Sequence, residues 1–129
     1  MKILIADDHA VVRQGYGALL KAMMPDVEVI EASNGTDAAL LYIQDQPDVT
    51  VLDIKMPDLS GIEVCRRIRQ RDPTAKILMF SMYEDASVIK EAMAAGALGY
   101  LSKSSPPDTM LAAVSSVSRS EHYLDERLE

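Results

Sequence analysis

Five short apolar runs punctuate the chain, and the segments between them carry apolar residues at helical spacing. Ile3-Leu4-Ile5-Ala6, Val27-Glu28-Val29-Ile30, Val49-Thr50-Val51-Leu52, Ile77-Leu78-Met79-Phe80 and Gly99-Tyr100-Leu101 read as strands, too short for helices and bounded by turn residues. After the first run, Val12, Tyr16, Leu19, Leu20 and Met23 recur at three- and four-residue steps, which predicts one buried helix face ended by Pro25. The turn-forming Ser33-Asn34-Gly35 leads into a helix carrying Ala38, Leu41 and Tyr42 toward Gln46-Pro47. Ser60-Gly61-Ile62-Glu63 is a capping box, with Ser60 set to bond the amide at Glu63 and Glu63 to reach back, and it opens a helix ending near Arg71. Val88, Ile89, Ala92 and Met93 mark the next helix, which Gly96 is placed to end with positive φ. Ser105-Pro106-Pro107-Asp108 reads as an N-cap, a proline at the first helical position and an acid in the first turn of a helix with Met110, Leu111, Val114 and Val117.

Strand and helix alternate along the whole length, which predicts a parallel sheet covered on both faces, because near-continuous Val/Ile/Leu strands need helices on each side. Right-handed crossovers and short loops then favour a doubly wound α/β sheet of five strands, with its functional crevice beyond the strand C-termini at a topological switch point. Residues 1–118 form the predicted domain. Residues 119–129, charged and without apolar period, read as the start of a linker or, at Leu128-Glu129, as an appended remnant.

With 129 residues, 48% of them hydrophobic, the chain is sized for one domain with a real core. A net charge of −7 with no Lys/Arg cluster lacks the electrostatic footprint of a domain that grips nucleic acid. There is no membrane-length apolar stretch, and the N-terminal run meets two acids too soon for a signal peptide, so a cytoplasmic location is expected. Cys65 stands alone, which excludes an internal disulfide framework and a Cys-based metal site; it reads as a small apolar core residue.

The chemistry sits at the C-terminal ends of the strands. The first run ends in Asp7-Asp8, the third in Asp53 and the fourth in Ser81, while the fifth delivers Lys103. Clustered carboxylates repel, so at neutral pH they hold a proton or recruit a cation. Magnesium suits them, being a hard cation that prefers oxygen ligands and keeps waters that phosphate oxygens can replace. Helix capping is the competing role for Asp7 and Asp8. Asp53, at the end of a central strand, is where a nucleophile would be most rigidly held, and an aspartyl carboxylate accepts phosphate covalently. Its alternative is a solvated strand end. Lys103 and Ser81 supply the positive charge and hydroxyl that phosphoryl transfer needs.

These residues resemble those of response-regulator receiver domains, from Met1 to about Val117. The resemblance implies a flavodoxin-like (βα)5 fold with strand order 2-1-3-4-5, Mg2+ held by Asp7, Asp8, Asp53 and the backbone carbonyl of Lys55, and Asp53 phosphorylated by a sensor histidine kinase. Ser81 and Lys103 would contact the phosphoryl group, and Tyr100, at the aromatic switch position, would rotate inward as Ser81 moves. A half-buried surface strand residue is the plainer reading of Tyr100. Lys55 and Tyr83 would flank the path of the hydrolytic water. Where many receivers place a proline after this lysine, Ser104 follows Lys103, and a cis bond there would cost roughly 2.5–4 kcal/mol, so a trans bond is predicted. Asp7-Asp8-His9, Ser81-Met82-Tyr83, residues 99–104 and Tyr123-Leu124 resemble the NarL/FixJ group, whose receivers precede a LuxR-type helix-turn-helix. A second copy of the chain on phosphorylation, and DNA only through such a C-terminal domain, are the further partners implied; the linker-like tail favours a fragment of a transcription regulator over a single-domain receiver.

Other functions fit less well. A haloacid-dehalogenase-like phosphatase needs a second acid two residues after its nucleophile, where this chain has Lys55. A flavodoxin-like cofactor carrier needs a Ser/Thr/Gly phosphate loop where Asp7 and Asp8 stand. A receiver that signals by docking alone would not need the full acidic set. The expected activity is therefore that of a phosphoacceptor, assisting only its own phosphorylation and dephosphorylation, and not that of an enzyme on an exogenous substrate. His9 reads as a loop residue and His122 as a tail residue; Gly15 and Gly17 lie within a helix and form no dinucleotide fingerprint.

Overall fold

The computed structural model describes residues 1–125 and Leu128. In chain order the elements are β1 (Lys2–Ala6), α1 (Ala10–Met23), β2 (Glu28–Ala32), α2 (Gly35–Asp45), β3 (Val49–Leu52), α3 (Gly61–Arg71), β4 (Ile77–Ser81), α4 (Ala86–Ala94), β5 (Gly99–Ser102), α5 (Thr109–Ser118) and β6 (Tyr123–Leu124). The sheet runs β2-β1-β3-β4-β5-β6, parallel throughout. The doubly wound order expected for the first five strands is therefore present, and a sixth strand extends it.

Alternating side chains divide the core in two. Leu4, Leu52, Ile77, Met79 and Tyr100 pack with Ala38, Val64, Ile68 and Ala92 of α2, α3 and α4. Ile3, Ile5, Val51, Leu78, Phe80 and Leu101 pack with Leu20, Met110 and Val114 of α1 and α5. Both faces of β3, β4 and β5 are buried, which is why these segments read as apolar runs rather than alternating ones. Cys65 is buried among them, its thiol pushed up to about 12 by burial.

Local chemistry sets several boundaries. Asn34 caps α2, accepting from the Asp37 amide at 2.8 Å. Ser60 caps α3 by accepting from the Glu63 amide at 3.2 Å, but the expected return bond is absent because the Glu63 carboxylate turns to Arg66 and Arg67. Gly96 takes φ 112°, as its place after α4 predicts. The proposed Ser105 cap does not form. Residues 106–109 make a separate turn, with the Thr109 amide donating to Pro106 O at 3.0 Å, and α5 starts only at Thr109. β2 lies later than its apolar run suggested, reaching Ala32, because it pairs residue for residue with β1.

The first part of the tail pairs with the sheet. After α5 the chain turns through Ser120 at φ 62° and comes back alongside β5, where the Tyr123 amide donates to Leu98 O at 3.1 Å. Glu126, Arg127 and Glu129 lie outside the described residues, and with them part of the Leu128-Glu129 reading.

Candidate functional site

β1 and β3 are neighbours, so their C-terminal ends bring Asp7 and Asp53 to one edge of the sheet, and β4 and β5 bring Ser81 and Ser102 to the same edge in register. Asp7 and Asp53 are 1% and 4% exposed, deep enough that their charges must find partners. Lys103, one residue past β5, supplies one. Its Nζ lies 2.7 Å from Asp7 Oδ2 and 3.0 Å from Asp53 Oδ2, and 5.7 Å from the centroid of the Phe80 ring. Tyr16 packs edge-on to that ring, with the centroids 4.7 Å apart.

Burial pushes the Asp53 carboxyl above its ordinary value, and the nearby charge of Asp7 adds to this; the Lys103 ammonium and the Lys55 amide draw it down without cancelling the rise. Burial works against the charge on Lys103, but its bonds to Asp7 and Asp53 outweigh that and hold its pKa raised.

The loop after β3 keeps Asp53 in place. The Gly61 amide donates to Ile54 O at 2.8 Å, and a Cβ at position 61 would collide with the Asp53 carbonyl oxygen, so only glycine lets α3 begin this close. Asp58 in the same loop accepts from the amides of Gly35 (2.9 Å) and Thr36 (3.1 Å), tying it to the start of α2.

One ligand atom each from Asp7, Asp8, His9 and Asp53 lie within 4.8 Å of one another, and the three carboxylates among them give the hard oxygens that fit a divalent cation. Capping does not occupy Asp8: the N-cap of α1 is His9, and it is Asp7 that accepts the His9 amide, at 2.9 Å. The His9 ring, assigned to a loop by sequence, stands 3.4 Å from Asp7 and 3.3 Å from Asp8. Lys55 is exposed.

Ser81 is fully buried, and its Oγ accepts from the Tyr83 amide at 3.0 Å, which leaves its O–H proton for another acceptor. Tyr100 is also fully buried, not half-buried at the surface, and its hydroxyl donates to Tyr83 O at 2.7 Å. The ring already lies inward, so the expected inward rotation is not a step this conformation has left to make. The Lys103–Ser104 bond is trans, as no cis peptide occurs among the described residues.

Sequence reasoning missed the contacts around Lys103. Ser102 and Ser104 both donate to Glu84 Oε2, Ser104 at 2.8 Å, and Ser105 donates to the buried Asp125. The only signal was the run of serines on either side of a lysine; Glu84 and Asp125 are remote in sequence.

Residues 3–115 match the family model for the response regulator receiver domain. Oxygen regulatory protein NreC of Staphylococcus carnosus is 38% identical over 130 residues, covering 99% of this chain and 59% of that protein. Transcriptional activator protein ExaE of Pseudomonas putida is 34% identical, covering 99% of this chain and 60% of that protein. The chain thus spans about three fifths of the length of these curated relatives. Among solved structures, a LuxR-family two-component response regulator from Aurantimonas superposes with a TM-score of 0.93 at 35% identity, covering 98% of this chain and 91% of the other. A LuxR-family DNA-binding response regulator from Staphylococcus aureus gives 0.85 at 26% identity, covering 91% and 98%.

Proposed function

The chain belongs to the response regulator receiver domain family, of the LuxR/NarL type, and on that premise we propose that Asp53 is its phosphoacceptor. The observation that carries this is the Lys103 ammonium held between Asp7 and Asp53 at the head of the sheet. A carboxylate oxygen of Asp53 attacks phosphorus, the N–P bond of a kinase phosphohistidine breaks, and the imidazole leaves with its electron pair. Asp7, Asp8, Asp53 and the Lys55 carbonyl are the groups that would hold Mg2+, which when bound supplies positive charge to the phosphoryl oxygens. Lys103 meets the added charge from the other side, and Ser81 donates its hydroxyl proton to a phosphoryl oxygen.

Receiver domains of response regulators interact with histidine kinases, and here an apolar groove lined by Val11, Gly15, Tyr16, Leu19 and Pro107 gives a kinase helix a seat. Its lining residues Val11 and Pro107 lie two residues beyond His9 and four beyond Lys103 along the chain. No helix among the described residues is long and apolar enough to cross a membrane; we place the reaction in the cytoplasm, where a kinase phosphohistidine would meet it. The output is a face formed by α4, β5 and α5, serving a second copy of the chain or a DNA-binding domain in a longer parent. In this reading Tyr100, already inward, is locked rather than turned by the movement of Ser81.

Incubation with a small-molecule phosphodonor and Mg2+, followed by intact mass, should add one phosphate to the chain. Asp53→Asn should abolish the addition, and unchanged labelling in that variant would remove the assignment.

A further inference from the structure

The segment Ser102-Lys103-Ser104-Ser105 joins three parts of the molecule. Its lysine reaches the acidic crevice. The hydroxyls of Ser102 and Ser104 meet on one carboxylate oxygen of Glu84, and the Ser104 amide donates to Ser102 Oγ at 3.1 Å, so the backbone bearing Lys103 is a hydrogen-bonded turn. Glu84 stands three residues after Ser81, in the loop whose Tyr83 amide bonds Ser81. Ser105, next along, donates to the carboxylate of Asp125, and both residues are buried, at 6% and 7% exposure.

Asp125 directly follows β6. That strand is two residues long, and its hold on β5 includes the Tyr123 amide on Leu98 O at 3.1 Å and the Asp125 amide on Tyr100 O at 3.4 Å. The turn leading into it passes through Ser120 in the left-handed region, which a serine adopts only at a cost. So short a strand is a marginal element, and a small loss of contact opens it locally.

We infer that residues 119–125 are a strap whose grip on β5 is set by the state of Asp53, transmitted through Lys103, Ser105 and Asp125; this rests on the acceptor reading above. In the present conformation Lys103 is shared between Asp7 and Asp53. A phosphoryl group on Asp53 brings up to about two negative charges to that spot, and the ammonium turns from Asp7 toward them. The backbone at 103–105 follows, drawing the Ser105 hydroxyl from Asp125. A buried carboxylate that loses one of its donors is held less firmly where it stands, and β6, which Asp125 directly follows, loosens with it. Release uncovers the outer edge of β5, whose N–H and C=O groups are then open to pairing.

Amide hydrogen exchange at Tyr123 and Asp125, read by NMR on the whole chain, tests this. Beryllium fluoride with Mg2+ serves as the phosphoryl mimic, and the fluorine signal of bound fluoride, lost in Asp53→Asn, reports occupancy. Binding should speed exchange at both amides by about tenfold or more. Ser105→Ala and Asp125→Asn should exchange fast without the mimic and respond little to it. Bound fluoride with unchanged or slower exchange overturns the strap alone, as does full protection in both variants. Fluoride that fails to bind the unaltered chain overturns the acceptor reading, and the strap with it.

Discussion

Lys103 holds Asp53 at 3.0 Å, yet the Asp53 carboxyl still sits above its ordinary pKa, because burial and the charge of Asp7 outweigh the ammonium. A folded pKa above the unfolded one means that the folded chain binds the proton more tightly, so this group's contribution falls as pH rises from the unfolded value through the folded one. At neutral pH the ionised Asp53 therefore costs stability. Asp53→Asn should melt a few degrees higher than the unaltered chain at pH 7 without metal, and the gap should close on acidification. Added Mg2+ should narrow the gap from the other side by stabilising the unaltered chain more. Thermal melts at both pH values check this, and a lower melting temperature for the variant at pH 7 would contradict it.

Thr50 is the polar residue in the middle of β3, fully buried, and its Oγ1 has no hydrogen-bond partner among the described residues. A hydroxyl taken out of water without a partner works against the fold. Thr50→Val keeps the β-branched shape and should raise stability by about 1 kcal/mol in urea denaturation, with the slope unchanged. A loss of stability would mean that the hydroxyl is satisfied by water.

Much of this arrangement was legible in the sequence because strand ends are chemically loud. Asp7, Asp53 and Lys103 each terminate or follow a buried apolar run, and a parallel sheet must bring such ends to one edge. What the sequence concealed depends on contacts between distant segments. Ser105 has every local mark of an N-cap, but α5 begins only at Thr109, and the Ser105 hydroxyl donates to the distant Asp125. Tyr123-Leu124 is too short to show a strand period, and only the free edge of β5 makes it one. Tyr100 looked half-buried at the surface; it is fully buried in the core cluster that includes Ile89 and Ala92 of α4, with its hydroxyl on the Tyr83 carbonyl.

Asp58 links the β3–α3 loop to α2, and its carboxyl is lowered from an ordinary 3.8 to about 2, first by the Thr36 side chain and then by the Gly35 and Thr36 amides. A depressed carboxylate adds stability that is present above the unfolded pKa and is lost as pH falls through the folded one. The contribution should therefore fade between about pH 4 and pH 2. Asp58→Asn should be less stable than the unaltered chain at pH 6, with the difference shrinking across that window. Because the carboxylate is at the surface, the effect should also weaken in high salt. A pH-independent difference would show that the bonds matter only through their geometry.

Tyr83 is the residue at which the proposed lifetime of phospho-Asp53 can be tested. Its amide donates to Ser81 Oγ and its carbonyl accepts from Tyr100, so its backbone is fixed at both ends while its side chain, 39% exposed, stands at the rim. Hydrolysis of the acyl phosphate needs a water in line with the P–O bond, and we propose that the Tyr83 ring, two residues beyond Ser81, obstructs that approach. Replacing the side chain leaves both backbone bonds available, so Tyr83→Ala should load phosphate as the unaltered chain does but lose it faster, by roughly two- to tenfold, about 0.4–1.4 kcal/mol in the barrier. Tyr83→Phe, which keeps the bulk and drops the hydroxyl, should retain the long lifetime. Half-lives of the phosphorylated chain after removal of donor, followed by intact mass, decide the matter: equal half-lives for the unaltered chain and Tyr83→Ala would show that the ring does not stand in the path of the water.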